Sequence, residues 1–286
     1  MTPRAGVILA YASMCAIWGT TWLGIKVGLQ YLPPLSGAGA RFVVAGLLLY
    51  ALAKIQGRIL SARETPWKLI AVLAVFLFGV NYILTYTAET HLSSGLVAVL
   101  FGVLPFFTFT FAHSLLAERT TPRTWIGALL AFGGVAVISL VGDVRGSFLY
   151  ALAAIAAAAS SAFANVYAKR HSSHAPIVIL PPAMLAAGCV MTLAGVLLEH
   201  PSVTAALSPP SIGAVLYLAV FGSGVAFFLN MWLLQRIGAW VVGMSALIIP
   251  VIAVIVGILF GGETFGIRDL IGAALVIAGV WVALAV

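Results

Sequence analysis

Charged side chains are scarce in this sequence. Only 7% of the 286 residues are Asp, Glu, Lys or Arg, against roughly 25% in an ordinary soluble domain. Acids are the rarest, with seven against fourteen lysines and arginines. The deficit excludes a normal water-soluble domain. Together with 63% hydrophobic residues and a mean hydropathy of +1.17, it predicts an integral membrane protein.

Cysteine and catalytic motifs are also nearly missing. Cys15 and Cys189 both lie in apolar runs, where we expect buried thiols rather than a disulfide framework. The sequence has no H-E-x-x-H, no G-x-S-x-G and no paired acids at membrane depth. It therefore predicts no catalytic residue, no metal site and no cofactor, so that an intramembrane enzyme stays only as a rival hypothesis.

Long apolar stretches recur along the whole chain, at the length of about 18 to 24 residues that a helix needs to cross a bilayer. Strand-like alternation is absent, which favours a helical bundle over a barrel. We predict an all-α integral membrane protein with ten transmembrane helices. They are placed near residues 5–28, 35–53, 67–88, 93–116, 124–141, 147–168, 177–198, 211–234, 239–260 and 267–286.

One pattern occurs twice, in residues 105–134 and 250–279. Proline, glutamate, glycine and glycine follow in the same order, and each pair of equivalents is separated by 145 positions. The pairs are Pro105/Pro250, Glu118/Glu263, Gly127/Gly272 and Gly134/Gly279. Such ungapped matches indicate a duplicated unit, predicted at residues 1–141 (helices 1–5) and 147–286 (helices 6–10). Because five is odd, the second copy must cross the membrane in the opposite sense, as inverted repeats of transporters do.

The basic residues indicate how the chain is oriented in the membrane and do not indicate a nucleic-acid partner, since they lie between apolar runs instead of forming one patch. In the predicted topology, ten of the fourteen lysines and arginines lie on the same side of the membrane as the N-terminus. The other four are Lys26, Arg41, Arg145 and Arg268. The imbalance predicts that both termini are cytoplasmic.

The repeated motif resembles the drug/metabolite transporter superfamily, in particular its ten-helix members with two EamA-type domains. The resemblance rests on the proline within a helix, the Leu-Ala-Glu or Gly-Gly-Glu context of Glu118 and Glu263, and the glycines of the next helix. The aromatic-rich helices and the opening Trp18-Gly19-Thr20-Thr21-Trp22 are most similar to bacterial exporters of aromatic amino acids of the YddG type. The resemblance implies secondary transport across the bacterial inner membrane. It also implies a pathway surrounded by helices 1, 3, 4, 6, 8 and 9.

The motif prolines are predicted to kink their helices in mid-membrane. Neither Pro105 nor Pro250 has an amide hydrogen, so the carbonyls of Phe101 and Ala246, four residues earlier, lose their helical partners. An unpaired carbonyl persists in a bilayer only where it faces protein, water or substrate. We therefore expect both kinks beside the cavity.

The other motif residues are predicted to be structural. Glu118 and Glu263 lie where their helices emerge and are interpreted as anchors that hydrogen-bond the following loop. Gly127 and Gly272 give helices 5 and 10 small faces for close packing. These two helices are expected to form a scaffold outside the pathway.

Polar residues inside apolar helices indicate a binding site, because each costs free energy unless it faces the interior. Helices 3, 6 and 8 each carry one asparagine accompanied by tyrosine or phenylalanine. Aromatic faces stack on a flat apolar ring, and amides pair with amino and carboxylate groups without carrying charge. The predicted substrate-binding residues are Trp18, Asn81, Tyr82, Tyr86, Phe101, Asn165, Tyr167, Phe227, Asn230, Met244 and Ser245.

The predicted function is export of amino acids, aromatic ones favoured, by alternating access. Exporters of other small metabolites or drugs, a sugar or nucleotide-sugar carrier and a passive channel remain alternatives. All seven acids lie at helix ends or in loops, which favours weakly coupled or uncoupled transport; Glu89 and His91 form the one close acid–histidine pair at the edge of the pathway. Expected partners are the substrate and membrane lipid, with a monomer expected and a dimer left open.

Overall fold

The computed structural model describes residues 3–59, 61, 63–92, 97, 100–139, 148–171, 173–261 and 267–284. Ten helical elements are numbered here in chain order. They are α1 (Pro3–Gly28), α2 (Pro34–Ile55), α3 (Trp67–Glu89), α4 (Leu104–Leu116), α5 (Pro122–Ser139), α6 (Phe148–His171), α7 (Pro176–Leu198), α8 (Pro209–Leu234), α9 (Ala239–Gly243 and Ser245–Gly261) and α10 (Ile267–Leu284).

Every regular element in these ranges is a helix, in agreement with the predicted all-α class. Six of the described helices are long and apolar enough to cross a bilayer: α1, α2, α3, α6, α7 and α8. Four described helices, α4, α5, α9 and α10, carry shorter apolar stretches. Of the two free cysteines, Cys15 is buried as expected, whereas Cys189 is exposed on the bundle's outside.

Two predicted helices are interrupted. Helix 4 was predicted to run through residues 93–116, but residues 102 and 103 form a turn and α4 begins at Leu104. Pro105 therefore lies in the first turn of α4, where a missing amide hydrogen costs nothing, and the predicted kink is instead a break of the helix at residues 102 and 103. Helix 9 breaks at Met244, and its Pro250 does lie inside the second segment. Residues 93–96, 98 and 99 lie outside the described ranges.

Helices α5 and α10 cross closely at the motif glycines. A Cβ atom on Gly127 would lie 2.5 Å from the carbonyl oxygen of Gly279, and one on Gly134 would lie 2.6 Å from that of Gly272. The start of α5 thus meets the end of α10, and the end of α5 meets the start of α10. The two helices are antiparallel, and only glycine allows their backbones to approach so closely.

Helices α2 and α7 pack in the same antiparallel way. A Cβ atom on Gly39 would lie 2.5 Å from the amide nitrogen of Thr192, and one on Gly195 would lie 2.7 Å from that of Ser36. Glu199, directly after α7, accepts hydrogen bonds from the Leu35 and Ser36 amides at 2.8 and 2.9 Å. A carboxylate at this position satisfies the free amides of the first turn of α2.

Helices α3 and α8 each contain a π-helical segment, at Leu73–Val80 and Leu218–Val225. These segments are 145 positions apart (218 − 73 and 225 − 80), the same offset as the motif residues. In each, a backbone carbonyl accepts a hydrogen bond from a neighbouring helix: Ser160 Oγ donates to Phe76 O at 2.7 Å, and Trp18 Nε1 donates to Gly222 O at 3.2 Å. The side chains thereby fix two wide turns next to the centre of the bundle.

Candidate functional site

A central cavity lies among α1, α3, α4, α6, α8 and α9, the helices that the resemblance implied. Its wall is mostly apolar and aromatic, with asparagine, threonine and serine side chains between the rings. The wall consists of Trp18, Thr21, Trp22, Ile25, Asn81, Tyr82, Thr85, Phe101, Leu104, Thr108, Ser161, Asn165, Phe227, Asn230, Leu234, Ala239, Val242, Gly243, Ser245, Ala246, Ile249 and Pro250. Few polar groups in an apolar wall are typical of small-molecule sites.

Most of the residues predicted to bind substrate meet at this cavity. Those in its wall are Trp18, Asn81, Tyr82, Phe101, Asn165, Phe227, Asn230 and Ser245. The other three lie elsewhere. Tyr86 is buried against Arg41, Tyr167 stacks on His171 with ring centroids 4.0 Å apart, and Met244 packs in a separate apolar cluster with Phe109.

Several wall residues were not among the predicted site residues, although the sequence contained a signal for some of them. Thr85 lies four residues after Asn81, and Ser161 lies four residues before Asn165, so each shares a helix face with a predicted asparagine. Thr21 and Thr108 are likewise polar residues inside apolar runs. Trp22 completes the aromatic part of the wall.

The asparagines form two separate polar groups. Asn230 Nδ2 donates to Asn165 Oδ1 at 2.8 Å, which joins α8 to α6 across the cavity wall. On α3, Asn81 Nδ2 donates to Leu77 O at 3.1 Å, and Thr85 Oγ1 donates to Asn81 Oδ1 at 3.4 Å. Each amide still has hydrogen-bonding capacity beyond these bonds. The wall can therefore offer both donors and acceptors to a ligand without a formal charge.

Aromatic side chains from both halves of the chain meet around Phe227. Its ring lies 5.3 Å from Trp18 and 4.9 Å from Phe78 in edge-on contacts, and 6.2 Å from Tyr82. These distances are typical of favourable ring pairs. The cluster forms a rigid aromatic surface on one side of the cavity.

Arg41 lies directly behind this surface and is only 1% exposed. Its Nε donates to Ser223 Oγ at 2.9 Å and its Nη1 to Tyr86 Oη at 3.4 Å, while its guanidinium carbon lies 5.0 Å from the centre of the Tyr82 ring. Among the described residues no acid lies within ion-pairing distance of it. The sequence-based interpretation of Arg41 as an orientation signal near a helix end is therefore incomplete, because it is a buried, uncompensated cation two turns inside α2.

Glu89, the last residue of α3, is also buried. Neither of its carboxylate oxygens is exposed, and neither has a hydrogen-bond partner among the described residues. His91, its neighbour in the acid–histidine pair at the edge of the pathway, makes other contacts: the His91 ring stacks on Tyr150 at 3.7 Å, and its Nδ1 contacts Thr90 Oγ1 at 2.8 Å. The structure thus buries one cation, Arg41, and one acid, Glu89, and the two do not form an ion pair.

Glu118 and Lys169 lie beside Leu234 and Ala239 of the cavity wall, at the end where α8 stops and α9 begins. Glu118 accepts hydrogen bonds from the Ala239 amide at 3.2 and 3.0 Å and pairs with Lys169 Nζ at 3.5 Å. Lys169 Nζ also donates to the carbonyl oxygens of Leu234, at 2.9 Å, and Ile237. Glu118 was predicted to bind its own following loop; instead it binds the first turn of α9. We call this group the Glu118–Lys169 tie.

The second motif glutamate, Glu263, lies outside the described residues. In the part of the chain that the structure describes, no three His, Cys, Asp or Glu side chains cluster as a metal site would require. The chemistry available at the cavity is therefore stacking and hydrogen bonding by neutral side chains, with a buried arginine behind the aromatic surface.

Known proteins share this arrangement of helices. The profile of the EamA-like transporter family matches residues 4–140 and, a second time, residues 148–285. The chain belongs to this family. Membership makes it a membrane transporter, which is not a class of enzyme, and it implies a small-molecule substrate and a lipid environment.

Individual relatives agree with the family. The chain is 31% identical over 271 residues to the uncharacterized inner membrane transporter YedA of Escherichia coli K12, covering 92% of this chain and 85% of YedA. It is 27% identical over 280 residues to the uncharacterized transporter YoaV of Bacillus subtilis, covering 96% and 95%. Protein PagO of Salmonella typhimurium is 25% identical over 256 residues, covering 88% and 84%.

A solved crystal structure has the same fold. It superposes with a TM-score of 0.86 and covers 98% of this chain and 97% of its own, at 22% sequence identity. The inner-membrane relatives and the six apolar spans support a multi-pass protein of the bacterial inner membrane.

Proposed function

We propose that this EamA-family transporter exports amino acids, aromatic ones favoured, by alternating access. The observation that supports this most is the composition of the cavity wall: Trp18, Tyr82 and Phe227 supply aromatic faces, while Asn165 and Asn230 supply neutral hydrogen-bonding groups. An indole or phenyl ring would stack on the rings, and the amino acid's polar groups would bind the amides.

The proposed architecture is two inverted five-helix repeats, residues 1–141 and 147–286, which together make ten transmembrane helices. The double match of the family profile supports the division. The antiparallel contacts of α5 with α10 and of α2 with α7 support the inversion, since in each pair the partners occupy equivalent places in the two repeats. Two similar halves give two packings of similar energy, which alternating access requires.

The proposed orientation places both termini in the cytoplasm, as the ten-to-four distribution of basic residues predicts. The Glu118–Lys169 tie then lies on the cytoplasmic side. Leu234 and Ala239 line the cavity and are held by Lys169 and Glu118. In this proposal the tie must break before substrate can enter from the cytoplasm.

The runner-up is export of another small metabolite or drug through the same cavity. A nucleotide-sugar substrate is less well supported, because the described wall contains no lysine or arginine that would neutralise a diphosphate. Of the candidate cations, Lys169 is occupied by Glu118 and two backbone carbonyls, and Arg41 lies behind Tyr82. One buried arginine suits a single carboxylate better than a diphosphate.

Counterflow in proteoliposomes tests the proposal. Vesicles with the purified protein are loaded with an unlabelled amino acid and diluted into labelled tryptophan or phenylalanine, with and without a pH gradient. We expect saturable exchange that prefers aromatic amino acids and does not depend on the gradient. Absence of exchange with every amino acid, combined with thermal stabilisation by another metabolite, would discard the substrate and keep the transporter.

The Asn230→Ala variant tests whether the substrate passes through this cavity. Removing the amide leaves Asn165 without its 2.8 Å partner and leaves a gap in the wall, so we expect exchange to fall at least about tenfold, as for a lost polar contact of about 1.4 kcal/mol. The variant should still elute as a monodisperse protein. Exchange at the wild-type rate would remove Asn230 from the site, and Asn81→Ala repeats the test on α3.

A further inference from the structure

A second recess, separate from the central cavity, opens on the outside of the bundle between α2 and α8. Its volume is about 570 Å³. Residues of α2 form one wall, the π-helical segment and the end of α8 form the other, and the first turn of α7 closes it. Its apolar lining includes Leu49, Leu52, Ala219, Val225 and Trp232. We call it the α2–α8 groove.

The groove has an apolar length and a cationic end. Its floor is buried, as at Leu49 and Ala219, whereas its rim is open: Leu52 is 43% and Val225 is 39% exposed. From Ala45 in α2 to Gln56 just after it, this wall covers eleven steps of the helix, or about 16 Å at about 1.5 Å per residue. That length matches one leaflet, half of a hydrocarbon core about 30 Å thick.

Two arginines close the end of the groove where α2 and α8 terminate. The guanidinium of Arg236 lies 3.8 Å from the centre of the Trp232 ring and donates to the Trp232 carbonyl at 3.0 Å, which holds it at the groove. Arg58 lines the groove three residues after α2 ends. Neither arginine forms an ion pair within the described ranges. The end of the groove is therefore cationic and unneutralised.

We propose that the α2–α8 groove is a binding site for an anionic phospholipid. One acyl chain lies along the apolar wall, and the headgroup phosphate binds Arg58 and Arg236 at the membrane interface. Basic sites between membrane helices bind anionic headgroups in this way, and the aromatic Trp232 lies at the level where tryptophan is favoured. The length of the apolar part selects a lipid over a free anion, because a free anion would use only the arginines.

The other half of the chain provides an internal comparison. The positions equivalent to Arg58 and Arg236, 145 residues away in each case, are Val203 and His91. The corresponding outer face between α3 and α7 therefore lacks both cations. The proposed site is specific to one side of the protein, the side on which α2 and α8 end.

Native mass spectrometry of the full-length protein tests the site. The protein is titrated with phosphatidylglycerol and, separately, with phosphatidylcholine of the same acyl chains. We expect wild-type protein to retain phosphatidylglycerol preferentially. Arg58→Gln/Arg236→Gln should weaken that binding about 30-fold, from about 1 kcal/mol for each arginine at a membrane surface. The control Lys68→Gln/Arg123→Gln removes two exposed charges outside the groove and should change binding less than about twofold.

A groove variant separates the apolar part of the site from its charge. Leu52→Trp fills the rim and keeps both arginines, so we expect phosphatidylglycerol binding to weaken by at least about fivefold while the protein stays monodisperse. Equal binding of the two lipids, or an equal loss in the control variant, would overturn the proposal, since either shows non-specific attraction. Unchanged phosphatidylglycerol binding in Leu52→Trp would overturn the proposal that an acyl chain lies in the groove. A dimer whose formation excludes lipid would assign this face to a second copy instead.

Discussion

The two halves of the chain agree in their backbone and differ in their charges. The π-helical segments of α3 and α8 begin 145 residues apart, at Leu73 and Leu218. The motif glycines occupy equivalent positions and meet across an antiparallel contact, as Gly127 and Gly279 show. The repeated residues are therefore those that allow helices to approach or backbone turns to widen, which is a requirement of the scaffold.

Two buried charged residues near the cavity do not follow this repeat. Arg41 on α2 corresponds to Ala186 on α7, and Glu89 at the end of α3 corresponds to Leu234 at the end of α8. The aromatic surface is the exception, because Tyr82 and Phe227 are equivalent positions and both line the cavity. Equivalent positions thus share helix contacts and aromatic rings, whereas the buried charges of Arg41 and Glu89 occur in the first half only.

The largest effect is expected where the two halves are most alike. In Gly127→Leu even the first side-chain carbon would lie 2.5 Å from the backbone of Gly279. α5 and α10 must then separate, at a cost of about 3 kcal/mol or more, so we expect loss of monodisperse protein in size-exclusion chromatography and a large drop in melting temperature. The control is Gly133→Leu on the same helix, where an added Cβ meets nothing within 4 Å. Equal behaviour of the two variants would contradict the close contact.

The next prediction tests whether Arg41, a charge present in the first half only, matters for transport. Arg41→Met replaces a buried cation by an apolar side chain of similar length and makes the first half resemble the second. The variant no longer has to bury a cation, which offsets the hydrogen bonds lost by Ser223 and Tyr86, so the melting temperature should change little. Exchange of amino acids should nevertheless fall about tenfold, because the positive potential behind Tyr82 is lost.

Transport and melting temperature distinguish two roles for Arg41. Full exchange in a strongly destabilised Arg41→Met protein would show that Arg41 is a structural residue that bridges Tyr86 and Ser223. Lost exchange in a stable protein would support a role at the cavity.

A smaller effect is expected at the Glu118–Lys169 tie. Glu118→Gln keeps the shape of the side chain but removes the charge that holds Ala239 and Lys169, which weakens charge-assisted bonds of about 1.5–3 kcal/mol. A cysteine at Leu234, in protein without the native cysteines, should then react about tenfold faster with a maleimide supplied from the cytoplasm. Glu199→Gln is the matched control, since Glu199 binds α2 instead. Faster reaction in both variants would indicate general loosening.

The smallest effect concerns an equivalent pair of aromatic positions, Trp18 and Phe163. Trp18→Phe gives both halves phenylalanine and removes the hydrogen bond to Gly222 O. A single neutral hydrogen bond contributes about 1 kcal/mol, so we expect a decrease of a few degrees in melting temperature with exchange retained. The exposed Trp281→Phe should show no change. A decrease as large as that of Gly127→Leu would mean that Trp18 supports much more than the π-helical turn.

The sequence was sufficient for the all-helical class and for much of the cavity wall, because both leave local signals. Apolar length marks a helix, and an asparagine such as Asn165 within it marks an interior face. Contacts between distant elements leave no such signal: Glu118 and Ala239 are 121 residues apart. Pro105 and Pro250 look alike in the repeat, yet the helix is interrupted before Pro105 and continues through Pro250. Arg41 was missed because counting charges for orientation does not consider depth.

Cysteine accessibility at equivalent positions tests most directly whether the two halves are inverted. Gln56→Cys and Pro201→Cys lie 145 residues apart, just after α2 and α7, and each is placed in protein with Cys15 and Cys189 replaced by alanine. The account predicts that a membrane-impermeant maleimide labels Pro201→Cys in cells with an intact inner membrane, and Gln56→Cys only after that membrane is opened. Labelling of both from the same side would contradict the inverted repeat and, with it, the proposed transport mechanism.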